Sequence, residues 1–231
     1  RAAAAEGVGL LRSDSLWGTP GPTLASLLLR TVEAAGPQGL TLRVYDRPAP
    51  GLPRGPALLS AQPRATEALL EAACRAQAAG PLRLLLPCVV RAEQVGPWRD
   101  AIARTAARLG RPPLQLGVML ETPAAALMPS PLLAAADFGV VGTGDLCALL
   151  GGTDREALGD AEREAVTPIL MRLLAAISGA AAATHRVVEV AGPAARHPAL
   201  VLALRDLGFT GVCVAPADVA PVRHALRAPR A

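Results

Sequence analysis

The sequence contains no lysine and no asparagine, and only two tryptophans, one tyrosine and two phenylalanines in 231 residues. So few aromatic rings exclude the stacking platforms on which single-stranded nucleic acids are held. All 23 basic residues are arginine, set against 19 acidic ones for a net charge of +4. That small surplus is read as a bias of composition toward arginine and alanine, and no nucleic-acid partner is expected. The four cysteines, Cys74, Cys88, Cys147 and Cys213, are far apart and form no CxxC pair, which excludes a disulfide framework and a zinc site. Cys88 and Cys213 fall in apolar runs, where a free thiol acts as a small hydrophobe. A reducing, cytoplasmic setting is expected. His185, His197 and His224 lack ligand spacing and are expected at the surface. No secretory leader is recognisable and no uninterrupted apolar stretch reaches 18 residues, so no membrane span is expected. The chain opens on Arg1 in an alanine-rich stretch rather than on methionine, and is read as a segment of something longer.

What the sequence has in quantity is apolar side chains, 52% of residues against 18% charged, the balance of a globular protein. Short apolar runs recur at 8–12, 40–45, 82–90, 114–121, 138–142, 187–191 and 211–215. Being continuous rather than alternating, they predict strands buried on both faces. Between them, 65–78, 95–109 and 161–182 carry helical spacing. Strand alternating with helix implies parallel βαβ units, and run starts about 34 residues apart match the size of one such unit. The fold class predicted is α/β, a TIM-type (β/α)8 barrel lacking its first strand, because residues 2–5 look like the tail of a preceding helix. An open doubly wound sheet is the alternative, since periodicity does not show closure. The proline-rich segment 47–56 reads as a long loop at a barrel mouth, and 1–231 as a single domain.

In a parallel barrel the chemistry sits at the C-terminal ends of the strands. Arg12 ends the first run, Arg43 lies in the second, Glu121 ends the fourth, Asp145 follows the fifth, and Arg155 falls in the loop beyond it. Guanidinium groups bind phosphate or carboxylate bidentately. Two carboxylates can hold Mg²⁺, which takes its remaining ligands from water and substrate. Such a set suits an anionic, metal-bridged substrate; ordinary structural ion pairs are the competing reading. Residues 142–145 (GTGD) read as a plain turn, the alternative being a loop whose backbone N–H groups cradle an oxyanion.

Three longer segments carry a resemblance. Residues 6–14 (EGVGLLRSD) look like the GxGLxRTE segment of phosphoenolpyruvate-utilising enzymes, 117–125 (GVMLETPAA) like their GIMxETPAA, and 137–146 (DFGVVGTGDL) like DFFSIGTNDL. They occur in the same order, with further likeness at 86–88 (LPC) and 207–209 (LGF). The chain thus resembles the C-terminal barrel of that family, and in particular enzyme I of the sugar phosphotransferase system. The resemblance implies that Arg12 and Arg43 take the places of arginines that bind the substrate phosphate, that Arg155 matches a further substrate arginine, and that Glu121 and Asp145 take the places of the Mg²⁺ ligands. It implies a homodimer, and a phosphorylatable histidine supplied by a missing N-terminal region or another protein.

The departures are as informative. Gly144 stands where the family has asparagine, so only its backbone N–H remains for the substrate. Residues 44–48 keep only Asp46 of a TLDIGGDK-type segment, Ala61 replaces another substrate arginine, and the family's CGE appears as Ala191-Gly192-Pro193. In the family that cysteine exchanges a proton with the substrate's methylene carbon, and loss of a general acid costs about 10²- to 10⁴-fold in rate. The expectation is a divergent barrel that binds Mg²⁺ and phosphoenolpyruvate or a similar small anion, a phosphotransferase by resemblance, with turnover weakened or lost. A non-catalytic scaffold or regulatory module acting through dimerisation is the alternative. A neighbouring metal-dependent barrel acting on pyruvate enolate is the third.

Overall fold

The computed structural model describes residues 5–46, 50–154, 157 and 159–227. Among them are seven strands: β1 (Val8–Arg12), β2 (Leu40–Arg43), β3 (Leu82–Leu86), β4 (Leu116–Leu120), β5 (Gly139–Gly142), β6 (Val188–Ala191) and β7 (Gly211–Cys213). They follow one another in the sheet in chain order. The pairs β1/β2, β2/β3, β3/β4, β5/β6 and β6/β7 are parallel. Parallel strands in chain order with helices between them make an α/β fold of the TIM-barrel type. A full set has eight strands, so seven agrees with a barrel without its first. Every predicted run contains one of these strands, but most strands stop earlier than the apolar run does. The surplus residues, such as Pro87-Cys88 after β3, turn away into the loop at the strand's C-terminal end.

The chain divides into two compact units, one from Glu6 to Val118 and one from Met119 onward. In the first, α1 (Gly21–Ala35), α2 (Leu58–Ala61), α3 (Pro63–Ala76) and α4 (Val95–Arg108) accompany the strands. Helices α1 and α4 both pack on α3. Proline falls in the first turn of α1 and of α3, where its missing N–H costs nothing. Leu40, Leu42, Leu84, Leu85, Leu86 and Leu116 are buried in the strands, as continuous apolar runs require. Trp98 on α4 is 1% exposed, and its indole N–H donates to the Pro56 carbonyl at 3.0 Å. One side chain thus anchors the loop after β2 to a helix much further along the chain.

The second unit carries α5 (Pro123–Leu127), α6 (Pro129–Ala135), α7 (Thr143–Leu150), α8 (Asp160–Thr184), α9 (Pro198–Asp206) and α10 (Val219–Leu226). Residues Glu164–Thr184 of α8 are long and apolar enough to cross a membrane by length and composition alone. In this unit α8 packs against α5, α6 and α7, and a core helix passes the same test. The predicted helix 161–182 differs from α8 by one or two residues at each end. His185, His197 and His224 are exposed, as expected.

Trp98→Ala is expected to lower stability by about 3–5 kcal/mol, through lost burial and a residual cavity. Urea denaturation followed by circular dichroism measures this. A loss below about 1 kcal/mol, the ordinary scale of a surface change, would mean that the indole does not anchor the loop.

Candidate functional site

In the first unit the strand ends build a charged cluster. Arg12 and Arg43 are the last residues of β1 and β2 and lie opposite each other in the parallel register. Arg12 is exposed, whereas Arg43 is 4% exposed. A guanidinium so deeply buried needs counter-charge. It receives it from Asp14, whose Oδ2 lies 2.5 Å from Nη2, and from Asp46, 3.9 Å from Nη1. The other oxygen of Asp14 accepts the backbone N–H of Asp46 at 2.8 Å, so Asp14 fixes both the strand-end cation and the turn that follows it. Asp46, itself 6% exposed, takes a two-pronged ion pair from Arg54, with Nε–Oδ1 at 3.0 Å and Nη2–Oδ2 at 2.6 Å. The Cys88 thiol donates to Asp46 Oδ1 at 3.4 Å.

The loop that delivers Arg54 is held by a close backbone approach. The N–H of Gly55 donates to the Asp46 carbonyl at 3.0 Å, and Gly55 has φ +48°. A Cβ there would stand 2.3 Å from the Pro87 carbonyl oxygen and 3.1 Å from Cys88 Cβ, so only glycine fits. Cys88 itself has φ +53°. This corrects the expectation of a strand thiol acting as a small hydrophobe. Pro87 ends the strand, and Cys88 turns its sulfur to a carboxylate instead. Two buried polar atoms of this region have no hydrogen-bond partner, Arg43 Nε and Ser13 Oγ. Behind the cluster, Tyr45 packs edge-on against Trp17 with ring centroids 4.9 Å apart. Burial, helped by the charge of Asp14, pushes its phenol up to about 12.

In the second unit the sequence explains how Glu121 is set. Glu121 follows the last residue of β4, Thr122 caps α5 by accepting the Ala125 N–H at 3.2 Å, and Pro123 starts that helix. One strand end, one cap and one helix start leave Glu121 at the junction, 2% exposed. Gly142 makes room for it, since a Cβ there would lie 2.8 Å from Glu121 Cβ and 3.1 Å from its Oε2. Residues 142–145 are not a plain turn: Thr143, Gly144 and Asp145 form the first turn of α7, with Gly142 as its N-cap. First-turn N–H groups have no acceptor within the helix. Asp145 is half-buried. Glu121 and Asp145 are two oxygen donors, and among the described residues no group of three or more His, Cys, Asp or Glu gathers. Such a pair suits Mg²⁺, which keeps waters and takes substrate oxygens.

Ala191, at the end of β6, adjoins the same turn. The Thr143 hydroxyl donates to the Ala191 carbonyl at 2.9 Å and accepts the Ala194 N–H at 3.3 Å. Gly192 has φ +105° and passes so close that a Cβ would meet Thr143 Oγ1 at 2.7 Å. In the β6/β7 register Ala191 lies opposite Cys213. None of the four cysteines is in a disulfide. Arg155 lies outside the described residues.

Comparison with known proteins identifies the family. Residues 27–230 match the family described as PEP-utilising enzyme, PEP-binding domain. The chain belongs to this family. Among curated relatives of this PEP-binding domain, it is 30% identical over 246 aligned positions to the multiphosphoryl transfer protein of Xanthomonas campestris pv. campestris, covering 96% of the chain and 29% of the relative. It is 30% identical over 249 positions to the phosphoenolpyruvate-protein phosphotransferase of Streptomyces coelicolor, covering 97% of the chain and 44% of the relative. The chain therefore spans less than half the length of either. Among solved structures, Haloferax volcanii malate synthase in its magnesium/glyoxylate complex superposes with a TM-score of 0.69 at 15% identity, over the whole chain and 70% of that protein. A citrate lyase from Burkholderia xenovorans superposes at 0.66 and 16% identity, over 98% of the chain and 78% of that protein. At such identity these two show the fold alone.

Sequence reasoning does not single out Asp14, Arg54 or Cys88 as site residues. For Asp14 a signal exists inside the RSD segment, a carboxylate two residues past a strand-end arginine. Arg54 lies in a proline-rich loop whose path no periodicity records.

Burial pushes the Asp46 carboxyl up, but the ion pairs with Arg54 and Arg43 and the thiol hydrogen bond outweigh it and hold it below the ordinary carboxylate value. A carboxyl depressed in the folded state adds stability that is present above its unfolded value, near about 4, and is lost as pH falls through the lowered one. Melting temperatures from about pH 6 to about pH 2 should therefore fall less steeply in Asp46→Asn than in the wild type. Parallel curves would show that Asp46 does not link acid to unfolding.

Proposed function

We propose that this PEP-binding domain binds phosphoenolpyruvate in a Mg²⁺-dependent manner as one barrel of a longer phosphotransferase of the enzyme I type, and that its turnover is weakened. The observation that carries the reading is Glu121. It is buried at a strand end and packed against Gly142, three positions before Asp145. A carboxylate buried there suits a cation. In this reading Glu121 and Asp145 hold Mg²⁺, which supplies charge neutralisation at the enolate oxygen when bound.

The roles of the chain's own residues follow from their chemistry. Arg43, held rigid by Asp14, and Arg12 at the neighbouring strand end take the substrate phosphate, with Arg155 assigned alongside them by resemblance. The Gly144 N–H, in the first turn of α7, suits an oxyanion. Ala191 supplies no proton, so a substrate carbon that becomes an enolate must be protonated from elsewhere, and that step is slow. The histidine that accepts the phosphoryl group belongs to another domain or protein. A homodimer and a cytoplasmic setting complete the reading.

A second reading is supported by Ala191 and Gly144 together: a regulatory or scaffolding barrel that retains the binding groups without the chemistry. Calorimetric titration separates the two. Phosphoenolpyruvate is expected to bind the wild type more tightly with Mg²⁺ than without. Glu121→Gln should abolish that dependence, and Arg12→Ala should weaken binding about tenfold or more, the worth of a charge-assisted hydrogen bond. No binding by a folded wild type, or full Mg²⁺ dependence in Glu121→Gln, overturns the reading.

Ala191→Cys tests the missing proton donor. With pyruvate and Mg²⁺ in D₂O, exchange of the methyl protons should quicken by about 10²- to 10⁴-fold over the wild type, as restored acid–base catalysis would give. Equal exchange rates, read by proton NMR, would show that position 191 does not set the rate.

A further inference from the structure

We propose that Tyr45 is a ligand-contacting residue whose hydroxyl donates a hydrogen bond to the anionic group taken by Arg12 and Arg43; this rests on the phosphoenolpyruvate-binding reading above. The first observation is an imbalance within one side chain. Tyr45 is 3% exposed, yet its hydroxyl has no hydrogen-bond partner among the described residues. Nor is that hydroxyl sealed in the core, where the unpartnered side-chain atoms among the described residues are Ser13 Oγ, Arg43 Nε and Arg186 Nε. The ring is thus buried while the oxygen at its tip opens outward. A buried tyrosine ordinarily gives its O–H a partner.

The backbone sets the direction of the ring. The N–H of Val44 donates to the Leu85 carbonyl at 3.0 Å, one residue past the Arg43–Leu85 register pair, so the chain stays extended beyond the end of β2. Side chains alternate along an extended chain, which puts Tyr45 on the same side as Arg43, at the strand ends where a parallel barrel carries its chemistry. Trp17 braces the ring edge-on, with centroids 4.9 Å apart and planes at 83°. Asp14 does not accept the hydroxyl; its two oxygens hold Arg43 and the backbone N–H of Asp46. With burial and the charge of Asp14 pushing the phenol up to about 12, the group keeps its proton at neutral pH. A fixed, uncharged O–H donor beside guanidinium groups complements an oxyanion, which accepts several hydrogen bonds at once. Tyr45 lies in the segment where only Asp46 follows the family pattern, so the resemblance gives it no role.

The test uses the fact that Tyr45 is the only tyrosine in the chain. Protein labelled with ¹³C at the tyrosine Cζ gives a single NMR signal, from the carbon that bears the hydroxyl. Titrating phosphoenolpyruvate with Mg²⁺ into the wild type should shift that signal in step with calorimetric saturation. Tyr45→Phe keeps the ring and its contact with Trp17 and loses only the O–H. Its melting temperature should stay within about 2 °C of the wild type, since no intramolecular hydrogen bond goes with it. Its affinity for phosphoenolpyruvate should nevertheless fall about tenfold or more. Wild-type affinity in folded Tyr45→Phe overturns the inference and leaves the binding reading intact, as does a Cζ signal that stays in place while the ligand binds. A Tyr45→Phe protein that melts well below the wild type overturns it too, because the hydroxyl would then serve the fold. A folded wild type that binds no phosphoenolpyruvate overturns the binding reading itself, and the inference with it.

Discussion

A guanidinium buried at the end of a β-strand is the constraint around which the first unit is arranged. Arg43 is 4% exposed, and an uncompensated charge there would cost on the order of several kcal/mol. The chain meets it with Asp14, one of whose oxygens holds the cation while the other holds the backbone of Asp46. Asp46 in turn recruits Arg54 and Cys88, and with them the loops after β2 and β3. Removing Asp14 would leave the buried Arg43 with only the 3.9 Å contact to Asp46, so the members are coupled and do not contribute additively.

Much of this was legible in the sequence, and for physical reasons. Buried parallel strands must be apolar along their whole length, so 114–121 and 187–191 announced themselves. The limits of the strands were not legible, because an apolar residue reads alike whether it ends a strand or begins the loop beyond it. Cys88 is the clearest instance. Glu121 could be placed because it ends the fourth apolar run, and the ends of such runs are where a parallel barrel carries its polar groups. Arg54 could not, since its position depends on a contact between the loops after β2 and β3, which are more than thirty residues apart in the chain. A sequence read in local windows does not contain that contact.

In the second unit close backbone approaches gather strand ends at one turn. Gly142 and Gly192 keep the close approaches that bring β4, β5 and β6 together at one turn. Thr143 ties that turn to the carbonyl of Ala191. The backbone around position 191 is thus tightly specified, and its side chain is a methyl group. Steric specification of a backbone and the chemistry of a side chain are separable properties.

The absence of lysine gives the cluster an asymmetric response to proton concentration. Guanidinium groups do not deprotonate in proteins, so no alkaline condition that leaves the chain folded strips the cations from Arg12, Arg43 or Arg54. Acid acts in the opposite sense. Protonation of Asp46 would release a carboxylate's worth of negative charge and make the strand ends more attractive to anions, while removing the tie that holds Arg54 in place. Charge and order therefore diverge as the solution becomes acidic: the net positive charge of the cluster rises while its ion-pair tie to Arg54 is lost.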